Sequence, residues 1–159
     1  MKILLIAVGK LKERYLQAGI VEYTKRLRPY CDLKVVEVAD EPTPQNASAK
    51  EEMQIKAREG ERILDKIPAD SHVVALAIEG KAVTSEQFAA MILDQQNYGK
   101  GHLTFIIGGS LGLSAEVLSR VDRKISFGKL TYPHQLMRLI WHEQIYRAFK
   151  IIKREPYHK

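Results

Sequence analysis

Short, nearly unbroken apolar runs alternate with longer amphipathic stretches along the chain. Lys2–Val8 contains Ile3-Leu4-Leu5-Ile6-Ala7-Val8, and His72–Glu79 contains Val73-Val74-Ala75-Leu76-Ala77-Ile78. Runs of this length and continuity predict strands buried on both faces, as in a parallel sheet. Leu33–Val38, Leu103–Ile107 and Lys124–Phe127 complete the predicted strands. Between the first two, Leu16, Ile20, Tyr23 and Leu27 fall on one helical face, which predicts a helix over Lys12–Pro29. The two prolines of Asp40–Ser48 predict a loop, the most mobile one of the chain. Ser48 and Glu51 have capping-box spacing and open a helix to about Ile67, weakened by Gly60 in its interior. Gly80-Lys81 is expected to turn the chain. Thr84 and Gln87 form a second capping box, for a helix to about Asn97, followed by a glycine loop over Tyr98–His102. Ser114 opens a short helix ending near Val121. The last helix begins near Thr131 and Pro133, since proline is tolerated in a first turn.

Strict strand–helix alternation without a linker predicts one α/β domain over residues 1–159, with a mainly parallel sheet and helices on both faces. Ligands of such sheets bind beyond the C-terminal strand ends. Here those ends carry Gly9, Glu79-Gly80, Gly108-Gly109 and Gly128. A ligand-lined rim needs such glycines, although tight turns alone also select them.

Composition narrows the function classes. The longest apolar runs are too short to span a bilayer, and Met1-Lys2 leads straight into the first strand, so neither a membrane anchor nor a signal peptide is expected. Cys31 is the one cysteine, so no internal disulfide forms, and Asp32 beside it opposes thiol activation. A cytoplasmic protein is the expectation. The net charge of +6 favours an anionic partner, nucleic acid before membrane surface. The cations cluster at Lys10/Lys12/Arg14, Lys25/Arg26/Arg28, Arg120/Arg123/Lys124 and Lys150/Lys153/Arg154/Lys159. A favourable helix C-terminus explains the second group but not all four.

Gly108-Gly109-Ser110-Leu111-Gly112 is neither a dinucleotide fingerprint nor a P-loop, but its backbone amides suit a compact ligand such as a nucleoside. The five histidines, His72, His102, His134, His142 and His158, lack metal-ligand spacing, so no metal is expected. No hydrolase nucleophile motif is present. Glu143 and Arg147 read as a surface i,i+4 ion pair. Met137, Trp141, Ile145, Ala148 and Ile152 form a stripe that packs on the sheet or on a second subunit. Arg138, His142, Tyr146 and Lys150 occupy another face, suited to solvent or an anionic partner. The tail Glu155-Pro156-Tyr157-His158-Lys159 carries an aromatic and an imidazole at a place where chains usually fray.

Several blocks taken in order carry a family resemblance that spans the chain. They are Val8-Gly9-Lys10, Leu76-Ala77-Ile78-Glu79-Gly80-Lys81, Phe105-Ile106-Ile107-Gly108-Gly109-Ser110-Leu111-Gly112-Leu113, Ser126-Phe127-Gly128-Lys129-Leu130-Thr131-Tyr132-Pro133-His134, Glu143-Gln144-Ile145-Tyr146-Arg147-Ala148 and Pro156-Tyr157-His158. Together they resemble the ribosomal RNA large-subunit methyltransferase H family, small members of the SPOUT class. The resemblance implies a C-terminal deep trefoil knot, which general rules of chain topology would not predict. It also implies a homodimer with pockets near the subunit interface and S-adenosylmethionine as methyl donor. The implied acceptor is N3 of a pseudouridine in 23S ribosomal RNA, presented by the assembled 70S ribosome. The implied donor contacts are Leu76, Gly108, Phe127, Gly128, Lys129, Leu130, Thr131 and Tyr132. His158, from either subunit, or Arg147 is the candidate for assisting loss of the acceptor proton. The competing readings are a SPOUT enzyme acting on another RNA, such as transfer RNA, and a non-catalytic ribosome-associated RNA-binding protein.

Overall fold

The computed structural model describes residues 1–159. Its elements follow the expected alternation: β1 (Lys2–Val8), α1 (Arg14–Leu27), β2 (Asp32–Val38), α2 (Ala49–Leu64), β3 (His72–Ala82), α3 (Ser85–Tyr98), β4 (His102–Ile107), α4 (Ala115–Arg120), β5 (Arg123–Ser126) and α5 (His134–Ile152). The strands form one sheet in the order β2-β1-β4-β3-β5, and every pairing is parallel. All C-terminal strand ends therefore share one edge.

Alternate side chains of the strands build two cores. Ile3, Leu5, Ala7, Leu103 and Phe105 meet α3 and α5 on one face, joined by Leu27 of α1. Leu4, Ile6, Val8 and Ile106 meet Ile63 of α2 and Val117 of α4 on the other. Crossovers toward β2 use the first face and those toward β5 use the second. All four thus share one hand, as the twist of parallel strands requires. The stripe on α5 packs on the sheet of its own chain, with Trp141, Ile145 and Ala148 buried and Met137 and Ile152 partly so. From Trp141 an aromatic series runs through Phe105 (5.2 Å between centroids) and Phe88 (5.8 Å) to Phe127 (5.4 Å). Each such pair contributes about 1 kcal/mol beyond area burial, and the series carries core rigidity to the segment after β5.

Several expectations are corrected. Gly80-Lys81 does not turn the chain: β3 continues through it to Ala82. Leu76 and Lys81 both pair with Ile125, so Ala77–Gly80 form an outward excursion between two paired stretches. A Cβ on Gly80 would lie 2.7 Å from the backbone of Ile125, which is why the strand can rejoin β5 only with glycine there. The excursion leaves Ile78 52% exposed, so the second half of this strand is not buried on both faces. Gly60 is a contact, not a weak point. Its missing Cβ would fall 2.4 Å from Ser114 Oγ, and its absence lets α2 close on the start of α4.

The polar face expected on the last helix is the largest miss. Arg138 is 2% and His142 0% exposed. Arg138 reaches the end of β1, donating to Gly9 O (2.5 Å) and Val8 O (3.0 Å) and pairing with Glu37 (2.5 Å). His142 donates from Nδ1 to Arg138 O at 2.6 Å. Burial, with the Arg138 charge adding to it, pushes the His142 pKa down to about 4, so the ring is neutral. Burial, more than Asp32, pushes the Cys31 thiol up to about 12, leaving it inert.

Candidate active site

One cavity of about 840 Å³ opens at the C-terminal edge of the sheet. Its size lies within the range of small-molecule sites. Three backbone segments form it: Leu76–Glu79 from the β3 excursion, the loop Ile107–Leu113 after β4, and the stretch from Ser126 to His134. Lys56, Leu118 and Met137 close the sides. Shape here is held by main chain. Ser126 Oγ accepts from Gly128 N (3.1 Å) and donates to Gly128 O (2.7 Å), fixing the turn after β5. Gly112 N donates to Gly109 O at 3.1 Å, folding the other loop back on itself. Gly112 (φ 87) and Gly128 (φ 125) adopt conformations that side chains oppose, and a Cβ on either would meet nothing within 4 Å. A Cβ on Gly108 would press on Leu113 at 3.0 Å and on the Gly112 carbonyl carbon at 3.2 Å.

Charge is sparse in this cavity. Lys56, Glu79 and His134 are its charged or imidazole-bearing lining residues. Burial lowers the His134 pKa, and Arg138 one turn along α5 adds to the effect against the opposing charge of Asp40, so the ring is neutral near pH 7. No group of three His, Cys, Asp or Glu side chains is placed to hold a metal ion. No helix is long and apolar enough to cross a membrane. An apolar cavity with glycine-shaped loops and few charges suits a flat ring system recognised by backbone amides.

Comparison with known proteins decides the family. A family model described as "Predicted SPOUT methyltransferase" matches residues 1–158. The chain belongs to the SPOUT methyltransferases. It is 61% identical over 159 residues to the ribosomal RNA large subunit methyltransferase H of Carboxydothermus hydrogenoformans, covering all of both chains. The proteins of that name from Bifidobacterium adolescentis and Exiguobacterium sibiricum are 60% and 57% identical over the same full length.

In this SPOUT methyltransferase the cavity gathers Leu76, Gly108, Phe127, Gly128, Leu130, Thr131 and Tyr132. Lys129, expected among them, is exposed and does not line the cavity. His134 was legible only as one of five histidines. Its position directly after Pro133, opening the helix that leaves the cavity, is the signal that singles it out.

Arg147 and His158 do not line the cavity of their own chain. Arg147 lies on α5 roughly 20 Å beyond His134, by the helical rise of about 1.5 Å per residue. There the tail docks and builds a dense polar cluster. Arg147 donates to Glu143 (2.5 Å) and to His158 Nδ1 (3.1 Å), and Tyr157 donates to Glu143 (3.0 Å). His158 Nε2 donates to Glu86, at the start of α3, at 2.8 Å. The Arg147 guanidinium also lies 4.7 Å from the Tyr157 ring centroid. Glu143–Arg147 is therefore not the isolated surface pair its spacing suggested: the side chains are 19% and 25% exposed and belong to a network. Hydrogen bonding to His158 lowers the Glu86 pKa, and burial, then hydrogen bonds to Tyr23 and Glu143, raise that of Tyr157.

Proposed function

We propose that this chain acts as one domain that transfers a methyl group from S-adenosylmethionine to N3 of a pseudouridine in 23S ribosomal RNA within the assembled ribosome. The observation that carries the reading is the cavity itself. Seven residues that the family resemblance assigns to donor contact, drawn from three separated segments, converge on it. The residues fit the donor: apolar walls for the adenine, backbone amides in the glycine loops for ring and ribose edges, and Glu79 to oppose positive charge. The bound donor supplies a methyl group already activated on a sulfonium, so the protein needs no nucleophile of its own. Its cavity holds donor and acceptor in line and excludes water.

One proton leaves the acceptor nitrogen for each methyl gained. His158 is the candidate acceptor of that proton, and Arg147 the cation that stabilises the ring anion. Because Arg147 lies about 20 Å along α5 from the cavity of its own chain and His158 docks beside it, the reading needs a homodimer in which the tail of one subunit meets the cavity of the other. The C-terminal trefoil knot, which brings the 126–134 segment against the 107–113 loop, and a cytoplasmic location belong to the same reading. Radiolabelled methyl transfer to naked 23S RNA, 50S subunits and 70S ribosomes tests it, alongside calorimetry with S-adenosylmethionine. Donor binding with labelling of 70S alone is expected. Saturable donor binding with labelling of transfer RNA instead would replace the acceptor, and no donor binding would leave a non-catalytic RNA-binding protein.

A further inference from the structure

We propose that the segment Lys10–Arg14, together with Lys129, is the phosphate grip of the cavity rim, over which the substrate RNA strand runs. The proposal rests on the RNA methyltransferase reading and adds to it the surface that meets RNA. Of the four basic clusters in the chain, only Lys10/Lys12/Arg14 stands at the cavity edge of the sheet. The clusters at the end of α1, at the start of β5 and at the end of α5 lie toward the opposite edge, because α1 and α5 run back from the C-terminal strand ends.

The backbone of this segment is anchored while its cations are not. Gly9 N donates to Val38 O (2.8 Å), and Arg138 donates to Gly9 O (2.5 Å). Leu11 N donates to Glu37 (2.8 Å), Leu11 O accepts from Gln17 (2.7 Å), and Lys12 N donates to Gln135 (3.4 Å). Gln135 directly follows His134, so the segment is tied to the wall of the cavity. Lys10, Lys12 and Arg14 are exposed, and none forms an ion pair. The acids nearby do not neutralise them. Glu37 is taken by Arg138 and Leu11, Glu41 by Arg62, and Glu59 is buried, leaving exposed Glu13 and Asp40 against three cations. Buried Arg138 thus has a purpose that its burial alone does not explain: it fixes the strand end from which the cations project.

Lys129 completes the arrangement from the other side. It stands between cavity residues Gly128 and Leu130, is exposed, and has no acidic partner. With β1 and β5 separated by β4 and β3, the two basic groups lie roughly 14 Å apart across the sheet edge at about 4.8 Å per strand. That is a span a short stretch of unpaired RNA backbone bridges, with a base free to enter between. Phosphate contacts of this kind position the strand without reading its sequence.

The test is binding of the full-length protein to 70S ribosomes, measured by co-sedimentation between 50 and 200 mM salt on the order used for such titrations. Methyl transfer is measured separately. The variant combines Lys10→Ala, Lys12→Ala, Arg14→Ala and Lys129→Ala. A control combines Lys34→Ala and Lys153→Ala, exposed cations toward the opposite edge. The grip variant is expected to bind at least about tenfold more weakly, with a salt slope shallower by about 2 to 3, at roughly 0.7 per single-strand phosphate released. The triple variant that keeps Lys129 retains the wild-type affinity for S-adenosylmethionine by calorimetry. Wild-type ribosome affinity and slope in the grip variant would overturn the proposal, as would an equal loss per cation removed in the control. Loss of binding in the grip variant upholds it even if the labelled acceptor proves to differ from N3 of pseudouridine, so the two readings fail separately.

Discussion

The cavity and the tail cluster occupy two ends of α5 and are built from opposite materials. The cavity takes its form from main chain: two glycine loops and a strand excursion, with few charges. The tail cluster is nearly all side chain, with Arg147, Glu143, Tyr157, His158 and Glu86 linked by hydrogen bonds. Under the proposed reaction the two materials divide the work: backbone walls suit a ligand of fixed shape, and a network of ionisable groups suits the movement of a proton. Methyl transfer to a nitrogen that carries a proton needs both. In the isolated chain each ring nitrogen of His158 already has a partner, so the tail holds its imidazole oriented but engaged. Release of one partner on dimer or substrate contact is what would free it.

The largest effect is expected from His158→Ala. Turnover on 70S ribosomes is expected to fall by at least about 100-fold, the lower range for loss of a general base, with donor affinity unchanged. Wild-type turnover would leave the tail a structural element. Next comes Gly108→Val, whose branched side chain drives the loop off Leu113 and Gly112. Donor affinity should weaken by about 100-fold, or roughly 2.7 kcal/mol, as read by calorimetry. Mixing the two variants, at a donor concentration that fills only the intact cavity, decides whether the regions work across subunits. In a two-fold dimer, random pairing gives about a quarter of sites an intact cavity facing an intact tail, so about a quarter of wild-type turnover should return. No recovery would place both regions of a working site in one chain.

The scaffold was far more legible than the cavity's fine structure. Apolar runs and caps located all ten elements, because strand and helix periods depend on neighbours in sequence. Gly80 misled, since a glycine after an apolar run is equally consistent with a turn and with a strand that bends and rejoins. Only the Ile125 backbone, remote in sequence, separates the two. Arg138 and His142 misled for a related reason: polar residues on a helix default to solvent. The burial of Arg138 is licensed by Glu37 and the Val8 and Gly9 carbonyls, more than 90 positions away along the chain, and that of His142 by the Arg138 carbonyl one turn back. The residues that the family resemblance assigns to donor contact converge on one cavity except for Lys129. That exception marks where a motif read as continuous is split by the backbone into residues facing the cavity and one facing out.

His142 provides a test of the helix joining the two regions. Its pKa falls from the ordinary 6.5 to about 4 in the folded chain. The folded state therefore binds fewer protons than the unfolded state between these values, and stability contributed above pH 6.5 is lost as pH falls toward 4. At pH 5 the loss attributable to this residue is about 2 kcal/mol. Urea unfolding at pH 7 and pH 5 should show it, and His142→Gln should remove that part of the pH dependence. An unchanged difference between the two pH values in the variant would assign the acid sensitivity elsewhere.

The smallest effect is expected where the tail meets the rest of the fold. Thr84 caps α3 with a complete capping box: Gln87 N donates to Thr84 Oγ1 at 3.1 Å, and Thr84 N donates to the Gln87 side chain at 2.9 Å. The turn it caps presents Glu86 to His158. Thr84→Ala removes one of the two reciprocal bonds and should lower stability by about 1 kcal/mol, visible as a shift of the urea midpoint. The consequence for activity separates the two regions once more. On the cavity side, Phe88 of α3 meets Phe127 edge-on just after β5, beyond the capped turn, so donor affinity should not change. The Glu86–His158 contact lies on the turn so loosened, so turnover should fall by no more than about fivefold, the equivalent of about 1 kcal/mol. A variant that lost donor affinity while keeping turnover at saturating donor would show that the start of α3 serves the cavity instead of the tail.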